Sequence, residues 1–143
     1  MKDLLNELTD SITKEIGIQW SSEKDITDDE QPILPSQLYI LGTMYDLIET
    51  TDKIEPRLKG CDGYHSMFSN EIIIEKHLMP EAVGGNVEER RTNLRKHVLR
   101  HEIMHAYFSR AGWRHYRDDE PLIDLLATHL PEIFKTLMEV DAL

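Results

Sequence analysis

Residues 98 to 108 read VLRHEIMHAYF and place His101, Glu102 and His105 in the pattern H-E-x-x-H. Two imidazoles four residues apart share one helix face about one turn apart, so both can reach a single ion. Glu102 lies about 100° round the helix from His101. There it flanks such an ion rather than ligating it, and can take a proton from a water the ion activates. The chemistry this suits is metal-assisted hydrolysis, with Zn2+ as the cofactor. With 7 His and 15 Glu in 143 residues, chance alone yields the bare pattern roughly 0.03 to 0.04 times per chain. Context therefore has to carry the reading.

That context is a helix. Asn86 offers a side-chain cap, with Glu89 three residues on as in a capping box, and the helix runs to about Arg110 with Gly112 as its stop. Leu94, Val98, Met104 and Phe108 project within about 60° of the same direction as the histidines. The imidazoles thus face the apolar side of the helix, where burial demands partners for their nitrogens.

A catalytic zinc site uses a third protein ligand and keeps one position for water. Downstream, RDDEPLIDLLATHLPEIF puts Glu120 and Asp124 four apart on a second helix starting near Asp118, with Ala127 continuing their face. Glu120 is read as the third ligand and Asp124 as the acceptor that orients the free ring nitrogen of a ligand histidine. Asp124 as the direct ligand is the competing assignment. Asp118 or Asp119 caps the helix start, and the small Ala127 lets the two helices approach. Pro131 is expected to kink or restart this helix.

The remaining elements must position these residues. Leu4, Leu5, Leu8, Ile12 and Ile16 mark an amphipathic helix over residues 2 to 16, and the acidic stretch 21 to 32 reads as a loop. Gln37–Leu41 and Met44–Glu49 form a hairpin around Gly42-Thr43. Residues 70 to 76, NEIIIEK, are the clearest strand, and Tyr64 to Phe68 pairs with it through a turn near Ser69-Asn70. The expected fold is α+β: a small antiparallel sheet packed on the motif helix, beside two or three further helices. Residues 1–35 form an N-terminal helix and acidic linker, and 36–143 the domain proper, within one compact unit.

A net charge of −11 argues against nucleic-acid and anionic-membrane partners, which need a basic patch. The lone cysteine, Cys61, precludes an internal disulfide, the N-terminus is too charged for a signal peptide, and no apolar run is long enough to span a membrane. A cytoplasmic protein is expected. Other residues get modest roles. His97, one turn before His101, is read as core or rim. His115 or Tyr116 could donate to an oxyanion but reads as solvent-exposed loop. Trp113 is a core anchor, Asp62-Gly63-Tyr64 a turn into a strand, and His65, His77 and His129 have no ligand spacing.

Taken together, these motifs resemble the gluzincin metallopeptidases. More narrowly, the chain is similar to small zinc metallopeptidase-like proteins of phages and mobile elements in Gram-positive bacteria, related to the ImmA/IrrE group. The segments that carry the likeness are YILGTMYDLIET, EPRLKGCDGYHSMFSNEIII, LRHEIMHAYFSRAGW and DEPLIDLLATHLPEIF, most of residues 38 to 134. The resemblance implies a minimal zincin fold and a strand edge able to bind an extended peptide. It carries zinc ligation to His101, His105 and Glu120, and the catalytic role to Glu102.

The expected function is hydrolysis of a peptide bond by a zinc-bound water with Glu102 as general base. The substrate is a peptide or protein, a repressor being one candidate. The alternative is a non-catalytic, zinc-stabilised regulatory or protein-interaction module. Against it, structural zinc sites are closed and cysteine-rich, and need no acid beside the metal.

Overall fold

The computed structural model describes residues 35–80 and 85–143. The predicted helix over 2 to 16 and the loop over 21 to 32 lie outside the described residues. Strands β1 (Gln37–Ile40), β2 (Thr43–Thr50), β3 (Gly63–Ser66) and β4 (Glu71–Glu75) precede helices α1 (Val87–Arg110), α2 (Arg114–Arg117) and α3 (Glu120–Glu139). A 3₁₀ turn, Pro56–Leu58, lies between β2 and β3.

The fold is α+β, but the sheet is mixed rather than antiparallel. Its order is β1-β2-β4-β3, with β2 and β4 parallel and the other two pairs antiparallel. The long connection after β2 crosses to the far edge before the chain turns back, so β4 inserts between β2 and β3. Burial explains the composition of β4. Ile72 and Ile74 join the core with α1, while Ile73, also fully buried, faces the side where the 3₁₀ turn buries Leu58. A strand covered on both faces reads as a continuous apolar run.

The β1–β2 hairpin turns one residue earlier than the sequence suggests. Leu41 and Gly42 both have positive φ, 46° and 77°, as a two-residue type I′ turn requires. Tyr45 and Leu47 point from β2 into the core, where Ile72, Ile74, Val98 and Ala106 meet them.

Helix α1 starts where its cap places it: the Asn86 side chain accepts from the N–H groups of Glu88 and Glu89. It ends in a Schellman arrangement at Gly112 (φ 77°), with Trp113 N–H donating to Phe108 O at 2.9 Å and Gly112 N–H to Ser109 O at 3.3 Å. Trp113 itself is not a core anchor. It is 54% exposed and rests against Phe108 and Tyr116, because the reversal after Gly112 turns it to the surface.

Helix α3 begins at the cap Asp119, whose Oδ1 accepts from Leu122 N–H, and runs through Pro131 without a restart. Proline lacks an N–H, so the Ala127 carbonyl four residues back loses its helical donor. Arg100 supplies a substitute: its Nε donates to Ala127 O at 2.6 Å. Ala127 is fully buried, and its small side chain permits the close approach of α1. One side chain thus repairs the proline defect and sets the register of α3 on α1. No helix among the described residues is long and apolar enough to cross a membrane.

Replacing Arg100 with Met should leave that carbonyl unsatisfied and cost roughly 1 to 3 kcal/mol. Pro131→Ala restores the helical donor, so the cost of Arg100→Met should shrink in that background. Urea melts of the four proteins measure the coupling; simple additivity would reject the compensation.

Candidate metal centre

The two helices run antiparallel. His105 lies opposite Arg117 and Glu120, His101 opposite Glu120 and Asp124, and His97 opposite Asp124. The i, i+4 spacing on each helix thus becomes two facing rows of donors. His101 Nε2 lies 3.0 Å from His105 Nε2 and 3.1 Å from Glu120 Oε2, and His105 Nε2 lies 3.4 Å from Glu120 Oε1.

The outer hydrogen bonds decide which nitrogens are free. His105 Nδ1 is 2.7 Å from Arg117 O, and a carbonyl can only accept, so Nδ1 carries the proton. His101 Nδ1 is 3.2 Å from the Asp124 carboxylate, which fixes the same tautomer. With both rings neutral, the Nε2 lone pairs face each other and a carboxylate. A proton or a metal ion among the three would satisfy them. Tetrahedral zinc with bonds of 2.0–2.1 Å separates its ligands by roughly 3.3–3.4 Å, close to the spacing here. His101, His105 and Glu120 could hold a metal ion. Asp124 instead holds the back of His101 and also receives His97 Nε2 at 3.1 Å.

Glu102 lies beside this cluster and is 7% exposed. Burial, with the Glu120 carboxylate adding to it, pushes its carboxyl up to about 8. Its neighbour explains the burial. A methyl group on Gly63 would fall 2.8 Å from Glu102 Cγ and Oε1 and from Val98 Cγ1. Only a glycine lets the first residue of β3 lie flat on the glutamate. Burial also lowers the proton affinity of His105, and the hydrogen bond from His97, then that from His101, hold the Asp124 carboxyl below the usual range.

These residues line an open cavity of about 740 Å³, walled on one side by β3 and the following turn, including Met67 and Phe68. The 94% exposed Phe68 stands at its rim. Sequence reasoning passed over three parts of this wall. Gly63 was read as turn chemistry, although a glycine at the head of a strand also signals close backbone approach. His65 has no ligand spacing, yet it enters the cavity with its ring parallel to His105 at 6.5 Å. Burial lowers its proton affinity to a pKa of about 4, and its Nε2 has no hydrogen-bond partner among the described residues. The Arg117 carbonyl, a backbone group, left no trace in side-chain spacing. His115 and Tyr116 lie exposed on α2 and do not line the cavity.

Gly63→Ala should destabilise the protein by roughly 1 to 3 kcal/mol through overpacking, measurable by thermal melts; an unchanged melting point would mean that Glu102 moves aside freely. The charge on Glu102 gives a second expectation. An acid that titrates near 8 folded and near 4.5 unfolded binds more protons when folded, so stability falls as pH rises between those values. In chelator-treated protein, Glu102→Gln should therefore be more stable than wild type at pH 8, on the order of a few kcal/mol, with the gap closing towards pH 5. Urea titrations at the two pH values test this, and a gap that widens on acidification would contradict it.

No protein-family model, curated protein or solved structure matches the chain.

Proposed function

We propose that the chain is a zinc-dependent metallopeptidase of minimal zincin type, with His101, His105 and Glu120 as ligands and Glu102 as the general base. The observation that carries the reading is the convergence of His101 Nε2, His105 Nε2 and the Glu120 carboxylate beside the buried Glu102. Zinc held there would acidify a water to near-neutral pKa and polarise a substrate carbonyl.

The protein's own residues supply the remainder. Glu102 takes the proton of the attacking water and returns it to the leaving amine. Its burial favours this exchange, because a desolvated carboxylate is a stronger base than one in water. A cation held beside it would offset part of that desolvation and favour its ionised form. Asp124 and the Arg117 carbonyl fix the two ring tautomers, so neither imidazole protonates on the side that must bind.

The peptide substrate follows from β3. Glu75 N–H donates to Asp62 O, so in the antiparallel ladder Tyr64 and Ser66 bond to β4, while the backbone groups of Gly63 and His65 point away from it. Among the described residues no backbone group pairs with this edge along the cavity, which suits an extended peptide added as a further strand. The non-catalytic module explains less: Glu120 is 65% exposed and the cavity is open, unlike a closed structural site.

Purified protein should carry one zinc per chain by elemental analysis, lost in His101→Ala and His105→Ala. Asp124→Ala should weaken zinc about 10- to 100-fold. Glu102→Gln should keep the zinc and lose peptide cleavage by at least about 100-fold. Wild-type cleavage by Glu102→Gln would overturn the mechanism, and absence of zinc from protein refolded with it would overturn the centre.

A further inference from the structure

Both ring nitrogens of His101 are flanked by metal-ligating groups, and only one side has been used. On the Nε2 side are His105 and Glu120. On the Nδ1 side, His97 Nε2 and His101 Nδ1 approach the same oxygen of Asp124 at 3.1 and 3.2 Å. These three atoms lie within 4.8 Å of one another, as the atoms of the first set do. The facing rows of α1 and α3 therefore form two triangles of donors that share one imidazole.

Orienting His101 needs only Asp124. His97 is additional, brought to the same carboxylate oxygen because it precedes His101 by one helical turn. Two imidazoles and a carboxylate suit zinc and similar borderline divalent ions. The two triangles have equally exposed carboxylates, Asp124 at 62% and Glu120 at 65%, and differ in the second imidazole, His97 being 30% exposed and His105 13%. Both line the same open cavity, so an ion can reach either from solvent.

We propose that His97, Asp124 and His101 Nδ1 form a second, weaker divalent-cation site beside the first, sharing His101 with it. Ligation by Nδ1 replaces the proton it shares with Asp124, and that proton leaves to solvent, one for each ion bound. This cost, the repulsion from an ion across the same ring and the greater exposure of His97 relative to His105 all make the second step weaker. Filling the site removes the Asp124 contact that orients His101 and divides one imidazole between two cations. The protein thereby gains a sensitivity to excess metal at the ring that holds the first ion.

Zinc titrated into chelator-treated full-length protein, followed by calorimetry with ion counts by native mass spectrometry, tests the proposal. Wild type should take one tight equivalent, then a second at least about tenfold weaker. His97→Ala and Asp124→Asn should each bind one equivalent fewer than wild type, with circular dichroism confirming the fold. His105→Ala should lose the tight step and keep the weak one, since all three ligands of the second site remain. Heat measured in buffers of different ionisation enthalpy should show a proton released in the weak step. A wild type that takes the tight equivalent and no second one, or a His97→Ala variant that still takes two, overturns the second site. Loss of the tight step alone from wild type would instead remove the zinc centre and leave this proposal standing.

Discussion

The register of α3 on α1 is the constraint from which the site follows. Four donors on two helices converge only if the helices pack closely and neither slides by a turn. Ala127 permits the approach by being small, and the Arg100 bond to its carbonyl pins the register. That bond exists because Pro131 leaves the carbonyl without a helical donor. A residue that ordinarily weakens a helix here creates the acceptor that fixes it to its neighbour. A slide of one turn would carry Glu120 away from His101 and bring up Asp124 in its place.

The sheet contributes differently. Its buried face, through Ile72, Ile74, Tyr45 and Leu47, holds α1 from below. Its edge strand closes the site from the side, with Gly63 resting on Glu102. The mixed topology makes this possible, because placing β4 in the centre leaves β3, among the described residues, as the edge beside the cavity. The strand that excludes water from the glutamate is thus also the strand with backbone groups left to pair.

This arrangement costs stability. Glu102, Glu120 and Asp124 crowd one end of the helices, and the burial of Glu102 raises the energy of its ionised form. Such a concentration of lone pairs and negative charge is tolerable beside a cation and unfavourable without one. A surface net charge could be shed by mutation with little consequence. The charge at this site, one carboxylate of it buried, is tied to the spacing of the donors.

Much of this was legible in the amino-acid sequence, because it is local. The 3.6-residue period, the Asn86 cap and the Gly112 stop delimit α1, and the i, i+4 spacing puts His101 with His105 and Glu120 with Asp124. The triple isoleucine marks β4, and the β1–β2 pair is evident apart from its one-residue turn shift. What local pattern could not supply is pairing between distant segments. That β2 and β4 run parallel, that Trp113 turns outward, that α3 continues through Pro131, and that Gly63, His65 and the Arg117 carbonyl enter one cavity all depend on contacts between residues far apart in the chain. The sequence by itself determined which side chains share a helix face, since backbone geometry dictates that from spacing alone. Only the tertiary structure decided which faces meet and at what register, because those depend on packing volumes, unsatisfied carbonyls and backbone groups that carry no signature in side-chain order.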